Sequence, residues 1–315
     1  MSSPNAVKVF GPATVANVSC GFDILGFALN EPGDLVIAQK TDKRGLTFEC
    51  PQAESLGISV ELEKNTATAP VISLMKALNP SKGVHLMLDK LMPVGSGLGS
   101  SAASAAAALV AVNSLFDSPL SREELVTFGV EAERVACGTG HADNIGPAIM
   151  GGFVLIRSTQ PLDLVALPAP DKLHCTIVHP AITLETRDSR DVLKQNIQLK
   201  KAVTQWGNTA ALVAALYRDD LELLGRSLQD VVVEPERSQI LPGFAQAKSA
   251  AMDSGALGFG ISGSGPSLFA LSDSDSKAKA IASALRSVFD NLRLGCETYC
   301  SKINTLGARV IEEER

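Results

Sequence analysis

The run PVGSGLGSSAASAAAA, from Pro93 to Ala108, combines small residues in the way expected of an anion-binding loop. Its three glycines, Gly95, Gly97 and Gly99, allow a ligand to approach the main chain without meeting a Cβ atom. Consecutive N–H groups of such a loop point inward, and the first N–H groups of the following helix have no partners. Because the helix dipole also favours negative charge there, this stretch predicts a phosphate site.

The hydroxyl groups of Ser96, Ser100 and Ser101 add hydrogen-bond donors to this loop, or a ligand for a hard cation such as Mg²⁺. No lysine follows Gly99 as a Walker loop requires, and the glycine spacing does not fit the dinucleotide fingerprint G-x-G-x-x-G. A flexible hinge or a tightly packed helix entry is the alternative. The position of the loop between a strand and a strong helix favours phosphate.

The composition of the 315-residue chain restricts the classes of function. Apolar residues make up 45% and charged residues 20%, which is typical of a globular protein with a sizeable core. The net charge of −6 and the aromatic content of only 4% argue against nucleic acid as a partner. No apolar run reaches the roughly 20 residues that span a bilayer, so no membrane association is expected. The N-terminus lacks a signal-peptide pattern and the six cysteines form no C-x-x-C pair, which favours a cytoplasmic protein with reduced thiols.

Hydrophobic periodicity and turn residues predict strands and helices in irregular alternation, which indicates an α+β fold. The predicted strands are 7–10, 34–40 paired with 45–50, 84–90, 174–180, one after the glycines at 151–152, a pair around the 262–266 turn, and two near the C-terminus. The predicted helices are 66–78, 101–116, one after a capping box at Ser121 and Glu124, 191–204, 207–218, 220–230, 239–254 and 276–289.

The complete string PVGSGLGSSA resembles the ATP-binding motif of the GHMP kinases, P-x-G-x-G-L-G-S-S-A, which wraps the triphosphate in front of a helix. The strings FGPATVANVSCGFDILGFAL and GFGISGSGPSLFAL resemble the first and third motifs of that family. All three occur in family order and bracket residues 10–271. The resemblance implies that ATP is bound by Pro93, Val94, Gly95, Ser96, Gly97, Leu98, Gly99, Ser100, Ser101, Ala102 and Ala103, with Asn65 and Lys90 near the nucleotide base.

Four further strings, ANVSCGFDILGFAL, GHADNIGPAIMGG, LETRDSRDVL and EPERSQILP, resemble the family members that phosphorylate the side-chain hydroxyl of L-homoserine in threonine biosynthesis. This resemblance implies that Asp23, with Asn17 beside it, accepts hydrogen bonds from the substrate ammonium. His141 and Asn144 are implied to line the same pocket. Without the resemblance, Asn17 and Asp23 would be interpreted as turn-forming residues. His141 would be interpreted as a polar residue of the core.

Arg190 and Arg237 are implied to hold the substrate carboxylate, since a guanidinium matches a carboxylate with two parallel hydrogen bonds. Surface charge is the alternative for both. Thr186 is implied to hydrogen-bond the substrate hydroxyl.

Glu133 and Ser101 are implied to bind Mg²⁺. Asn144 stands where mevalonate kinase and galactokinase have an aspartate that can act as a base, and an amide cannot take the hydroxyl proton. A chain of this pattern is therefore expected to work without a strong general base. Asp143, one residue earlier, is expected to orient the loop.

The family fold has two α+β lobes, the first like the second domain of ribosomal protein S5 and the second ferredoxin-like. The resemblance places them at residues 1–165 and 166–315 and implies a homodimer. Two alternatives remain open at this point: a GHMP kinase for mevalonate or a sugar, and a non-catalytic ATP-binding protein of the same fold.

Overall fold

The computed structural model describes residues 4–137, 140–184 and 186–314, and within these ranges the side chains of all residues except 131–137, 186 and 187. Strands and helices alternate irregularly and form two separate sheets. The α+β class predicted from the sequence is confirmed.

The first sheet is organised around two long strands that pair along most of their length. Its strands are β1 (Ala6–Ala16), β2 (Leu25–Thr41), β3 (Leu46–Glu49), β4 (Gly83–Asp89), β5 (Phe153–Thr159), β6 (Leu162–Leu167) and β11 (Arg309–Glu314). The order is β11-β1-β2-β4-β3, and β5 pairs with both β2 and β6. The predicted pairing of segment 45–50 with 34–40 is wrong, because β4 occupies that edge of β2 and β3 pairs in parallel with β4 instead.

The second sheet has four antiparallel strands in the order β10-β7-β9-β8. These are β7 (His174–Pro180), β8 (Gly258–Ile261), β9 (Leu268–Ser272) and β10 (Cys296–Lys302). The turn between β8 and β9 carries the sequence SGSGPS and contacts the glycine loop of the ATP-binding motif.

The helices are α1 (Ala53–Leu56), α2 (Ala69–Leu78), α3 (Ser100–Leu115), α4 (Arg122–Cys137), α5 (Ile145–Met150), α6 (Thr186–Asp191), α7 (Leu199–Arg218), α8 (Leu221–Ser227), α9 (Glu234–Arg237), α10 (Phe244–Asp253) and α11 (Asp275–Asn291), with a 3₁₀ turn at Ser238–Ile240. The predicted break near residue 206 is wrong, because α7 continues through Gly207 as one helix. Helix α5 was not predicted. Among the described residues, no helix combines the length and apolar character needed to cross a membrane.

Helix α3 is buried almost all round and packs on β1 and β2. Its alanines allow this close packing: a Cβ on Gly11 of β1 would lie 2.1 Å from the carbonyl oxygen of Ala103. A helix without a polar face belongs in a core. The core therefore fixes the direction of α3, and with it the direction in which its first N–H groups point.

The predicted domain boundary at residues 165 and 166 falls inside β6, and the C-terminal strand β11 pairs with β1 of the first sheet. The division into residues 1–165 and 166–315 stays a prediction. The capping box predicted at the start of α4 is present: the Glu124 carboxylate accepts from the Ser121 N–H at 2.8 Å, and the Ser121 hydroxyl accepts from the Glu124 N–H at 3.2 Å.

Candidate active site

One open cleft collects residues from each of the strings that resemble kinase motifs. Its lining consists of Asn17, Asp23, Gly95, Ser96, Gly97, Gly99, Ser100, Ser101, His141, Asp143, Asn144, Arg190, Arg237, Gly263 and Ser264. The glycine loop forms one part of the lining, and the two arginines with Asp23 form another. The structure thus brings the predicted phosphate site and most of the predicted substrate residues together.

The glycine loop is held open by left-handed backbone at Gly95, Gly97 and Gly99, whose φ angles are 69°, 78° and 63°. Gly97 lies directly against the β8–β9 turn: its carbonyl oxygen accepts from the Ser262 hydroxyl at 2.7 Å. A Cβ on Gly97 would lie 2.5 Å from the carbonyl oxygen of Gly265. The ATP-binding motif and the third family motif therefore form one continuous double turn at the edge of the cleft.

The start of α3 offers unsatisfied polar groups to a ligand. The hydroxyl oxygen of Ser100 is buried and has no hydrogen-bond partner among the described residues. Ser101 follows it in the lining of the cleft. An orphaned hydroxyl beside the free N–H groups of a long buried helix fits a phosphate group, alone or with a hard cation.

Several of the residues predicted to bind the nucleotide have side chains outside the cleft. The side chains of Leu98, Ala102 and Ala103 are fully buried in the two hydrophobic cores behind the loop. Pro93 and Val94 do not line the cleft, and Val94 is 53% exposed. Packing of the three buried side chains fixes the loop from behind.

Lys90 lies in a buried polar network instead of the cleft. Its ammonium donates to Asp34, to the Ser100 carbonyl oxygen at 2.7 Å and to the Ser104 hydroxyl at 2.8 Å. The second oxygen of Asp34 accepts from the two main-chain N–H groups that follow Lys90, each at 3.0 Å. This network, which we call the loop clamp (Asp34, Lys90, Ser104), ties the end of β4 to the first turn of α3. It holds together the two ends of the glycine loop.

Asn65 is also outside the cleft. Its side chain donates to the Ser59 carbonyl oxygen at 2.7 Å and accepts from the Ala67 N–H at 2.8 Å, which shapes the turn before α2. Because the polar atoms of Asn65 and Lys90 are used in this way, the predicted base contacts of both residues stay predictions without support from the geometry.

Asp23 lies at the centre of the predicted substrate residues. The Arg190 guanidinium donates to both of its oxygens, at 3.0 and 3.3 Å, and His141 Nδ1 lies 3.8 Å from one of them. Nε of Arg190 is buried and finds no acceptor within the described part of the chain. The ion pair therefore keeps a free donor for a further anionic group.

Arg237 is only 2% exposed and is held by two main-chain oxygens. Its Nε donates to the Ser189 carbonyl at 3.0 Å and its Nη1 to the Gly263 carbonyl at 2.8 Å. Burial, together with the neighbouring Arg190, lowers the pKa of Arg237 to about 10, so the side chain remains a cation at neutral pH. Both arginines also lie over the ring of Phe22, at 5.1 Å for Arg237 and 5.8 Å for Arg190.

Asn17 positions the loop that carries Asp23. Its amide nitrogen donates to the Gly263 carbonyl at 2.7 Å, and its amide oxygen accepts from the Asp23 N–H at 3.0 Å. Both residues have positive φ angles, 70° and 60°. The sequence missed Gly263 and Phe22, although both occur inside strings that resemble family motifs.

The GHADN segment places three polar side chains along the cleft. Burial lowers the pKa of His141, so its imidazole is neutral at pH 7. The Asn144 amide oxygen accepts from the Thr14 hydroxyl at 2.7 Å, which fixes its orientation against Gly99. Asp143 is buried, and this burial raises its pKa from 3.8 to about 7.

We expect Asp143→Asn to stabilise the fold, and more so at pH 8 than at pH 5. Because the folded-state pKa is raised, the stability that the neutral carboxyl contributes is complete below about pH 4 and is lost as pH rises towards 7. Asparagine carries no charge and avoids this loss, so the gain should be on the order of 2 kcal/mol larger at pH 8 than at pH 5. The pKa of Asp143 also responds to the charges of Asp23, Arg190 and Arg237, but burial is the largest cause of its rise.

Urea unfolding of the parent and the variant at the two pH values measures this difference. Asp171→Asn, which changes an exposed carboxylate, serves as the control. An Asp143→Asn effect of the same size at both pH values would contradict the raised pKa.

Two predicted site residues, Glu133 and Thr186, have side chains outside the described residues. Their roles in binding Mg²⁺ and the substrate hydroxyl therefore stay predictions. Among the described residues, no group of three or more His, Cys, Asp or Glu side chains could hold a metal ion. Mg²⁺ that accompanies a nucleotide is bound chiefly by phosphate oxygens and water, with one or two oxygens from the protein, and the Ser101 that the sequence predicts as a ligand lines the cleft.

Comparison with known proteins agrees with the motifs. The family model of the GHMP kinases N terminal domain matches residues 65–152, and that of the GHMP kinases C terminal matches residues 212–291. The chain is similar to homoserine kinase of Chlorobium phaeobacteroides, with 47% identity over 97% of this chain and 99% of the relative. It is also similar to the crystal structure of homoserine kinase from Cytophaga hutchinsonii, with a TM-score of 0.94 and 46% identity over 99% of both chains.

Leishmania major mevalonate kinase, whose crystal structure contains R-mevalonate, shares only the fold, with a TM-score of 0.72 and 17% identity over 96% of this chain and 99% of that one. The two family models and the full-length relatives indicate the same family. The chain therefore belongs to the GHMP kinase family and, within it, to the homoserine kinases.

Proposed function

We propose that this protein transfers the γ-phosphoryl group of ATP to the side-chain hydroxyl of L-homoserine and releases O-phospho-L-homoserine. The observation that carries the substrate assignment is the Asp23–Arg190 pair, placed in the same cleft as the glycine loop. An amino acid is a zwitterion, and a carboxylate beside two arginines presents one group for each of its charges. The full-length similarity to homoserine kinases supports the same assignment.

ATP is the phosphoryl donor, as in other GHMP kinases. Its phosphates lie against the N–H groups of the glycine loop and the first turn of α3, where the helix dipole and the Ser100 hydroxyl face the cleft. The loop clamp and the β8–β9 turn hold these donors before the ligand arrives. Hydrogen-bond donors that are preorganised in this way stabilise the charge that develops in the transition state.

L-Homoserine binds with its ammonium at Asp23 and neutral His141, and with its carboxylate at Arg190 and Arg237. The free Nε of Arg190 gives the carboxylate a donor that the Asp23 ion pair does not use. Fixing both ends of this short molecule leaves only its side-chain hydroxyl to approach the γ-phosphorus. Positioning of this kind is worth roughly 7–11 kcal/mol of the barrier.

The hydroxyl proton leaves without a strong general base. Asn144, at the position of the family aspartate, is an amide that already accepts from Thr14. The transition state of phosphoryl transfer is loose, so the attacking oxygen needs little activation and a phosphate oxygen can take the proton. A strong general base would add ~10²–10⁴-fold to the rate.

Mg²⁺ accompanies ATP in this proposal. Ser101 and Glu133 would hold it, and when bound it neutralises charge on the β- and γ-phosphate oxygens. The remaining sequence predictions belong to the proposal as well: two domains with a boundary near residue 165, a homodimer, a cytoplasmic location, and no nucleic-acid or membrane partner.

The experiment that tests the function measures ADP release with L-homoserine, mevalonate, galactose and shikimate as acceptors. We expect turnover with L-homoserine alone. Turnover with mevalonate or galactose would assign the protein to another branch of the family. Failure with all four would favour a non-catalytic ATP-binding protein.

The same assay with Asp23→Asn tests the substrate pocket. We expect the KM for L-homoserine to rise about 100-fold, since a charge-assisted hydrogen bond to the ammonium is worth about 1.5–3 kcal/mol and Arg190 is left unpaired. The KM for ATP should stay within a factor of two, and Asp188→Asn, on an exposed carboxylate of α6, should change neither value. An equal rise in both KM values would contradict the separate substrate pocket.

A further inference from the structure

A small cavity, which we call the rear cavity, adjoins the active-site cleft. Its polar wall consists of Asn17, Ser19, Asp230, Glu234, Arg237 and Gly263. Asn17, Arg237 and Gly263 line the cleft as well, so they form part of the wall between the two spaces. The volume open to the centre of a water molecule is about 10 Å³, which is room for one such molecule.

Two buried polar atoms of residues that line the rear cavity have no hydrogen-bond partner in the described ranges of the chain. They are the hydroxyl oxygen of Ser19, a residue that is only 5% exposed, and the carboxylate oxygen Oε2 of Glu234. A buried polar atom without a partner costs free energy, so most such atoms in folded proteins bind another group or an ordered water. Two of them at one cavity therefore indicate a small polar ligand between them.

The Glu234 carboxylate is satisfied on one side only. Its Oε1 accepts from the ammonium of Lys248 on α10, and the Glu234 side chain is 14% exposed. Burial raises the pKa of this carboxyl, and Lys248 acts in the opposite direction. The second oxygen, Oε2, is left with a need for a proton donor.

Ser19 belongs to a strained part of the loop that carries Asp23. Three consecutive residues, Asn17, Val18 and Ser19, have positive φ angles of 70°, 43° and 59°. Left-handed backbone is unfavourable for residues with side chains and persists where surrounding contacts hold it. The Asn17 side chain and the Cys20 carbonyl oxygen make such contacts on either side of Ser19. The Ser19 hydroxyl lies between these two anchors and needs a partner of its own.

We propose that the rear cavity holds one ordered water molecule that bridges the Ser19 hydroxyl and Glu234 Oε2, and that both residues are positioning residues for L-homoserine. The water accepts the hydroxyl proton of Ser19 and donates one of its own protons to Glu234. It thereby ties the loop that carries Asp23 to helix α9, which carries Arg237. The positioning role rests on the proposed function, in which Asp23 and Arg237 bind the two charged ends of the substrate.

Asp230 offers an acceptor for the second proton of the water. Its Oδ1 accepts from the Gln205 side chain at 3.0 Å and from the N–H groups of Val232 and Val233, each at 2.9 Å. Its Oδ2 accepts from the Glu234 N–H at 2.9 Å and has a further lone pair to offer. Three partners are typical of a buried water.

The charges around the rear cavity favour a neutral ligand. Arg237 lies in the same wall and repels a cation, whereas the carboxylates of Asp230 and Glu234 repel an anion. A hard cation such as Ca²⁺ also takes about six to eight oxygen ligands, more than this small wall provides. Water is the occupant that both the charges and the size fit.

Ser19→Ala tests the positioning role, because it removes the hydroxyl and leaves the backbone in place. We expect the KM for L-homoserine to rise about tenfold, the effect of one lost hydrogen bond, as the Asp23 loop moves relative to Arg237. The KM for ATP should stay within a factor of two. Ser227→Ala is the control: this serine is 2% exposed and donates to the Leu223 carbonyl at 2.7 Å, so its loss should lower stability and change neither KM. An unchanged KM for L-homoserine in Ser19→Ala, or an equal rise in both KM values, would overturn the positioning role.

Variants of Glu234 test the bridge itself. Glu234→Gln keeps a polar group at the cavity and should hold the KM for L-homoserine within about threefold of the parent, whereas Glu234→Leu should raise it about tenfold. Ser19→Ala/Glu234→Leu should resemble either single variant, because residues that share one partner are not additive. A rise of about 100-fold in the double variant would overturn the bridge. So would a tenfold rise in Lys248→Met, since the ion pair alone would then position α9.

A high-resolution crystal structure tests the water without any substrate. We expect one density peak at about 2.6–3.2 Å from both Ser19 Oγ and Glu234 Oε2, and its loss in Ser19→Ala/Glu234→Leu. An empty cavity, a direct hydrogen bond between the two side chains, or anomalous signal at this point in crystals soaked with rubidium chloride would overturn the proposal. A parent that binds the water but fails to phosphorylate L-homoserine would instead contradict the proposed function and, with it, the positioning role.

Discussion

Replacing Gly97 with alanine is expected to reduce kcat/KM for ATP by at least 100-fold. The new Cβ would lie 2.5 Å from the Gly265 carbonyl oxygen and 2.7 Å from that of Ser262, and neither main-chain atom can move alone. The φ angle of 78° adds left-handed strain. Strain and overpacking each cost about 1–3 kcal/mol. The double turn must open to relieve them, which moves the N–H groups that face the phosphates.

Gly95→Ala is the matched control for this prediction. Gly95 has nearly the same φ angle, 69°, but a Cβ there would have nothing within 4 Å. It should therefore leave the double turn closed and lower the free energy of unfolding only by the backbone strain, about 1–2 kcal/mol. Steady-state kinetics with varied ATP, together with urea unfolding, separates the two variants. If both variants lost the same free energy of unfolding, contact between the two glycine turns would not be what holds the phosphate site in shape.

The phosphate role of the glycine loop stays a prediction, but the sequence correctly placed this loop directly before a helix, because the signal for such a loop is local. Glycine spacing, the serines at the helix start and the alanine-rich α3 all belong to one continuous stretch. Similarly, Asp23 and Arg190 were predicted as substrate residues, and the structure places them in one ion pair. Their pairing joins residues 167 positions apart, and nothing in the sequence predicted it.

The sequence could not reveal which polar side chains form hydrogen bonds with other parts of the protein. Asn17 and Arg237 were predicted to bind substrate, yet both donate a hydrogen bond to the Gly263 carbonyl oxygen. Lys90 was predicted near the nucleotide base, yet its partners lie on β2 and α3. Such partners are distant in the chain, and no periodicity or spacing marks a buried network. The helix through Gly207 was missed for a related reason, since packing overrides the local preference of a single glycine.

Lys90→Met is expected to destabilise the fold by about 3–5 kcal/mol, because it leaves the buried carboxylate of Asp34 without its cation. The side chain of Asp34 is fully buried and that of Lys90 is 4% exposed, so water cannot replace the lost partner. The clamp between the end of β4 and the Ser100 carbonyl is lost as well. We therefore expect the KM for ATP to rise about tenfold while the KM for the acceptor stays nearly constant.

The double variant Lys90→Met/Asp34→Asn distinguishes the clamp from a direct nucleotide contact. Removing the second charge should recover much of the stability, since neutral replacement of a buried ion pair costs far less than breaking it. It should not recover the KM for ATP, because Ser100 still lacks its tie to β4. Urea unfolding and ATP kinetics on the two variants measure both effects. If Lys90→Met instead raised the KM for ATP with unchanged stability, the ammonium would contact the nucleotide, and the loop clamp would not hold the phosphate site in place.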